Sequence, residues 1–461
     1  MDAASDRLIV VSTDAHAGVP HELWEEYLPS RFHELLPRLH EDNVVYPTMI
    51  RLVTNRLMTR PEYVEQHTET GFRGLYDAEV RLREMDREGI AAETLYLGDF
   101  RLGDMFHNIP NDVYPLDAWQ AGAEGWNHYI SDTFGIDTDR FLLVGAIGPC
   151  TDMDVALADL DWLGDHDFTA VYAPGYMRHA DMPRPHDRYW EPYYARCEEL
   201  SMPLVVHAGY GWDQGVAFAT WKRLYEAAVE SAGSTELADM IANPEGWQKL
   251  LAESGDFFAD IKPRQPMWQM MLGGVFDRHP DLKVMLTEIR ADWVPMVLRH
   301  LDEVWEANRD DIPAQRKPSE YWASNFLVGV SFTHACEVPL RHEIGIEQFT
   351  FGRDYPHPES TWPHTRQWLK AAFAGVPEDE LRLILGENAI RFLDLDRARL
   401  AEVAAEIGPT YAEINSSDPV PSDLIDHFDQ RGGYLKPPEA EARLELMDQM
   451  LEDDLAAVRA L

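Results

Sequence analysis

The sequence predicts an α/β protein built as a (β/α)8 barrel, and three observations carry that prediction. Short apolar runs alternate with amphipathic helical stretches from residue 8 to residue 392, with no succession of hairpin turns among them. Eight such runs fit a closed barrel with insertions better than an open sheet. Several of the runs also stop at a histidine or a carboxylate. In a barrel of this kind the reactive groups sit at the C-terminal ends of the strands.

The first run, Leu8 to Val11, leads through Ser12 and Thr13 to Asp14 and His16. Side chains at i and i+2 along a strand face the same way, so Asp14 and His16 point together at the strand's end. A carboxylate beside an imidazole is half of a divalent-metal site. Residues 20–39 read as helix and turn, broken by Pro29 and Pro37, and residues 43–76 are irregular. In a barrel that irregular stretch is an insertion over the mouth, a lid of the kind that collects functional loops. Residues 77–88 form an amphipathic helix with Val80, Leu82 and Met85 inward, closed by Gly89.

The second strand covers 90–97, the third 141–147 and the fourth 168–173, with helices predicted at 116–134, 152–162 and 190–200. The fifth, 203–209, carries His207, and the sixth, 282–288, ends in Glu288. A helix over 293–308 precedes the seventh strand, 325–330, which is followed by His334. The eighth, 349–354, ends in Asp354, with His357 behind it, and a helix over 377–392 closes the barrel. The barrel thus occupies 1–395. Residues 396–461 form a charged, C-terminal helical extension ending in an amphipathic helix over 439–461, which packs on the barrel or on a second subunit.

Composition narrows the function. Forty-five per cent hydrophobic residues with 14 Trp, 18 Tyr and 18 Phe describe a globular chain. Lys plus Arg number 40 against 81 Asp plus Glu, a net charge of −41, which repels nucleic acid and anionic membrane and leaves a small molecule as the expected partner. Cys150, Cys197 and Cys336 are too few and too scattered for a disulfide framework or a cysteine zinc cluster. The start of the chain, with Asp2 and Asp6, does not read as a signal peptide, and no run approaches the roughly 20 apolar residues of a membrane span. A cytoplasmic setting is expected.

Asp14, His16, His207, Glu288 and Asp354 therefore form the candidate metal set. Each has a plain structural use: His207 as a satisfied core histidine, Glu288 as a cap or partner of Arg290, Asp354 as the start of a turn. Their joint occurrence at the ends of four strands favours convergence on a cation. Asp354, Glu288 and His334 are the candidates for moving protons. His357 is placed to orient Asp354 by hydrogen bond. Arg101 and Arg264 could pair with an anionic substrate, and Trp212, Trp268 and Trp362 could wall its pocket.

Particular stretches resemble a known family: Asp14-Ala-His16, Pro203-Leu-Val-Val-His-Ala-Gly209, the run Gly273 to Glu288, Pro318-Ser-Glu-Tyr-Trp322, Phe351-Gly-Arg-Asp-Tyr-Pro-His-Pro-Glu359 and Gly386-Glu-Asn-Ala-Ile-Arg391. In that order they resemble the amidohydrolase-related branch of the amidohydrolase superfamily, which includes aminocarboxymuconate-semialdehyde and resorcylate-type decarboxylases. The resemblance implies a TIM-like barrel with one or two divalent ions at the rim, Fe, Mn or Zn, and family habit adds a homodimer. It implies ligand roles for His16, His207 and Asp354, and for Asp14 where many members have His or Glu. Glu288 stands where the decarboxylases keep a His, and no lysine ends the fourth strand.

Three carboxylates with two imidazoles favour Mn(II) or iron over a pure zinc site. The expected chemistry is hydrolysis or decarboxylation of a small organic carboxylate, ester or amide. The resemblance also reaches a non-heme diiron monooxygenase on the same fold, so hydroxylation of a CoA ester or terpenoid-type intermediate stands as the alternative.

Overall fold

The computed structural model describes residues 6–40, 71–98, 114–175, 182–211, 261–330, 333–357, 360–422, 424–425 and 442–461. The strands are β1 (Val11–Ser12), β2 (His16–Ala17), β3 (Ala92–Leu97), β4 (Phe141–Gly145), β5 (Ala170–Tyr172), β6 (Leu204–His207), β7 (Val284–Thr287), β8 (Phe326–Gly329) and β9 (Phe349–Thr350). All pair in parallel, in the order β1-β3-β4-β5-β6-β7-β8-β9, with β2 also on β3. Every strand residue is buried, as expected where both faces of a parallel sheet are covered.

The predicted first strand is split in two, and Asp14 lies in the gap. The two ends of the sheet meet there. Thr13 N donates to Phe351 O at 2.9 Å, Asp354 N to Asp14 O at 2.9 Å and His16 N to Tyr355 O at 2.7 Å. These bonds close the ring into a TIM-like barrel, and they form its seam.

Helices alternate with the strands, much as the pattern requires. Helix α1 (Ala78–Glu88) starts where the Asp77 side chain accepts from Val80 N at 3.1 Å, and it stops at Gly89, whose φ of 82° is left-handed. Next come α2 (Leu116–Phe134), α3 (Met153–Asp165), α4 (Glu191–Glu199), α5 (Ile261–Leu272) and α6 (Val294–Asn308). The predicted helix over 377–392 is instead three pieces, Glu378–Arg382, a π turn Leu383–Glu387 and Asn388–Leu393. The break lies at Gly386, where a Cβ would fall 2.4 Å from the Ile9 carbonyl oxygen, so the helix widens where it presses on the first strand.

The C-terminal helix α7 (Leu444–Val458) packs on the barrel wall, and Met447, Leu451 and Val458 join the barrel's core. Among the described residues no helix is long and apolar enough to cross a membrane. The insertion over 43–76 lies outside the described residues up to residue 70, and its last part is the helical turn Gly71–Leu75.

Candidate metal centre

Strand geometry gathers the predicted set. Asp14 and His16 come from the gap and from β2, His207 ends β6, Glu288 follows β7, and Asp354 follows the extended chain beyond β9. His16 Nε2 lies 3.7 Å from Asp14 Oδ1 and 3.3 Å from Asp354 Oδ1. His207 Nε2 lies 3.5 Å from Asp14 Oδ1 and 3.5 Å from Glu288 Oε2. His357 adds a sixth side chain: its ring stacks on His16 at 3.9 Å, and its Nδ1 lies 2.9 Å from Asp354 Oδ1. Two donor sets result, Asp14-His16-His207 and His16-Asp354-His357, sharing His16.

The backbone bends to present these groups. Glu288 and Asp354 both have φ of 55°, in the left-handed region that residues other than glycine seldom adopt. Strain of this kind, at the ends of two strands on one rim, is characteristic of functional positions.

Electrostatics sharpen the picture. Asp14, His16, His207 and Asp354 are all at least 96% buried, and both Asp14 oxygens, both His16 nitrogens, His207 Nε2 and Asp354 Oδ2 lack a hydrogen-bond partner. Buried polar atoms are nearly always partnered, so six orphans facing one another call for a ligand. Burial, and then the Asp354 charge, push the Asp14 carboxyl up to about 8. Burial and the neighbouring His357 and His207 hold His16 well below the ordinary histidine range. Burial also pulls His207 down, but Asp14 and Glu288 outweigh it and its pKa rises. A divalent cation suits such a set, because it favours ionised carboxylates and neutral imidazoles together. The donors present, hard oxygens with imidazole nitrogens, fit Mn(II), Fe(II) or Zn(II).

The other predicted residues are placed differently. His334 is partly exposed on the turn after β8, where its amide donates to Glu337 Oε2 at 2.7 Å, and it belongs to neither donor set. Arg264 is buried in α5, 4.4 Å over the Trp293 ring and 3.4 Å from the Ala442 carbonyl it donates to, on the side covered by the C-terminal segment. Trp268 donates to Asp454 in α7 at 2.8 Å, and Trp362 to Glu84 at 2.6 Å. Arg101 and Trp212 lie outside the described residues.

Two groups around the centre carried no advance signal. The Tyr96 hydroxyl, on β3, lies 3.3 Å from Thr13 O and 3.1 Å from Thr287 Oγ1, and its ring packs 4.8 Å from His207. Glu93, three residues earlier and on the opposite face of the strand, is buried with Arg81 and Arg353. Both residues sit inside an apolar run. Only the oddity of a glutamate in a buried strand could have marked one of them.

A closed parallel barrel whose strand ends gather carboxylates and imidazoles around a common point defines a metal-dependent barrel enzyme. Comparison with known sequences makes this specific. The family model described as amidohydrolase matches residues 75–395, and the chain belongs to that family. Its relatives lie in the decarboxylase branch. The gamma-resorcylate decarboxylase of Rhodococcus jostii (strain RHA1) is 24% identical over 335 residues, 69% of this chain and 88% of that protein.

The fold is shared with 5-carboxyvanillate decarboxylase from Sphingomonas paucimobilis, at a TM-score of 0.54 and 18% identity over 84% of this chain and all of that one. It is shared equally with a dihydroxybenzoic acid decarboxylase from Polaromonas sp. JS666 carrying manganese and 2-nitroresorcinol, at 0.53 and 18% over 85% and 99%.

Proposed function

We propose that this chain is a divalent-metal decarboxylase of small hydroxylated aromatic acids. What carries the reading is the cluster of orphaned, buried donors at the strand ends, Asp14, His16, His207 and Asp354. Hydrolysis would use the same donors. Decarboxylation is favoured because the similar curated proteins are gamma-resorcylate decarboxylases, and because 2,6-dihydroxybenzoate is bound by one structural relative.

Asp14, His16, His207 and Asp354 would hold the ion, with Glu288 completing the set beside His207. When bound, the ion supplies a fixed positive charge that anchors an anionic substrate and stabilises charge developing on it. The ring carbon that loses CO2 must gain a proton in exchange. Asp354, 2.9 Å from His357 Nδ1, is the group placed to hold and deliver that proton, and the stacking of His357 on His16 fixes its orientation. Glu288, on its strained backbone and 3.5 Å from His207 Nε2, would be the second proton carrier.

Mn(II)-loaded protein incubated with 2,6-dihydroxybenzoate and related ortho-hydroxybenzoates is expected to release CO2, and in D2O to leave one deuterium on the product ring. Metal-loaded protein that releases none from the whole series overturns the reading.

A second reading is favoured by one observation, the two donor sets that share His16 and together include two carboxylates, with Glu288 nearby as a third. Carboxylate-rich surroundings for two irons suit a non-heme diiron monooxygenase. Two irons per chain with O2 uptake would establish it; one ion per chain and no O2 uptake would remove it.

A further inference from the structure

Glu93 is a fully buried carboxylate on β3, in register with Ser12 on β1 and met by Arg81 from helix α1. It holds two fully buried arginines. Arg353 Nε and Nη2 donate to its two oxygens at 2.6 and 3.0 Å, a fork-on-fork pairing, and Arg81 Nε donates to Oε1 as well. A structural ion network would end there. This one continues into the metal centre.

Arg81 Nη1 donates to the His16 carbonyl at 2.8 Å and to the Gly74 carbonyl at 3.2 Å. Arg353 immediately precedes Asp354, and its amide donates to Ser12 Oγ at 2.9 Å, which in turn donates to the Asp14 carbonyl at 2.7 Å. Tyr355, on the other side of Asp354, packs its ring against both guanidinium groups, its centroid 4.1 Å from Arg81 and 4.6 Å from Arg353. One carboxylate on β3 therefore grips the backbone of His16 from one side and both chain neighbours of Asp354 from the other. Those two would-be ligands face each other, His16 Nε2 3.3 Å from Asp354 Oδ1.

We infer that Glu93, Arg81 and Arg353 are positioning residues that set the spacing of His16 and Asp354 and so tune the affinity for the ion. The inference rests on the metal-dependent reading above. Groups that orient ligands in this way are worth about 10–100-fold in metal affinity when removed. They also explain why the strained backbone at Asp354 is held, since the residues on both sides of it are clamped.

The test is a Mn(II) titration of the full chain, followed by the EPR signal of free and bound ion, with thermal unfolding of the metal-free protein alongside. The triple variant R81M/E93L/R353L replaces the whole network by apolar groups of similar size, a change that buried ion networks often tolerate in stability. It is expected to unfold cooperatively without metal and to bind Mn(II) about 10–100-fold more weakly. Its bound-ion line shape should also change. Parental affinity and line shape in the folded triple variant overturn the inference.

If the triple variant does not fold, Glu93→Asp keeps every charge and withdraws the carboxylate by one methylene. Weaker Mn(II) binding then supports the positioning role, and unchanged binding overturns it. A parent chain that takes up no ion fails earlier and differently: it removes the metal-dependent reading, and this inference with it.

Discussion

Asp14 and Asp454 are the same residue at the same depth, with opposite surroundings. Asp454, on α7, is 1% exposed and receives Arg184 at 3.1 Å, Gln265 at 3.0 Å, Trp268 at 2.8 Å and Gln269 at 2.7 Å. Asp14 is fully buried, and neither of its oxygens has a donor. The first carboxylate completes a structural joint between the C-terminal helix and the barrel. The second stands among Asp354, His16 and His207 with its hydrogen-bonding capacity unused. A buried charge is tolerable when it is fully partnered, so the difference separates the part of the molecule that holds the fold from the part that awaits a ligand.

That contrast can be broken most directly by removing each carboxylate in turn. Asp14→Ala is expected to abolish stoichiometric metal binding while leaving the metal-free protein as stable as before, or more stable by about 0.5–2 kcal/mol, because it relieves an unpartnered buried group. Asp454→Ala should do the reverse, costing about 3–5 kcal/mol by leaving buried donors unpaired, with metal affinity preserved. Equilibrium unfolding in chelator and metal analysis of the folded protein read both. If the two variants behave alike, the distinction between joint and site is wrong.

A smaller effect tests the membership of the site. His207→Ala and Glu288→Gln should each lower the metal retained after gel filtration, by about 10-fold or more, without altering the circular dichroism. Full retention in both would remove them from contact with the ion.

The smallest effect concerns Glu337, on the turn that carries His334. Burial pushes its carboxyl from 4.5 up to about 7, although Arg290 and the amides of Ala291 and His334 oppose the rise. The folded value stands above the unfolded one, so the protonated form favours the fold. Its contribution is complete below about pH 4 and is lost as the pH climbs through 7. Glu337→Gln should flatten this part of the pH dependence of stability in metal-free protein. An unchanged profile would place the titration elsewhere.

Much of this architecture was legible in the chain. The alternation of apolar runs and helical stretches locates every barrel strand to within a few residues, and Asp77 and Gly89 mark the ends of α1. The meeting of Asp14, His16, His207, Glu288 and Asp354 was legible for a simple reason: strand ends on one rim converge whatever their separation in sequence. Helix residues carry no such rule. Arg264 and Trp268, read as candidates for the substrate pocket, face the C-terminal segment, because a helix position alone does not say which layer covers it.

Glu93 and Tyr96 were hidden for the opposite reason. Their strand is apolar enough to look like plain core, and their partners, Arg353, Arg81, Thr13 and Thr287, come from distant parts of the chain. The left-handed backbone at Glu288 and Asp354 has no local signature either, since neither residue is glycine or asparagine.

The seam of the barrel has a temporal meaning. Ser12 and Arg353, hydrogen-bonded across it, stand 341 positions apart, so the ligands on the two sides come from opposite ends of the barrel sequence. During synthesis the early ligands emerge long before their partners exist. An ion held by the proposed ligands could be captured with the final geometry only once the last strand has been made and zipped against the first. Loading would then belong to the finished barrel, and a chain cut short before Asp354 would be left with a half-built cradle and an open edge.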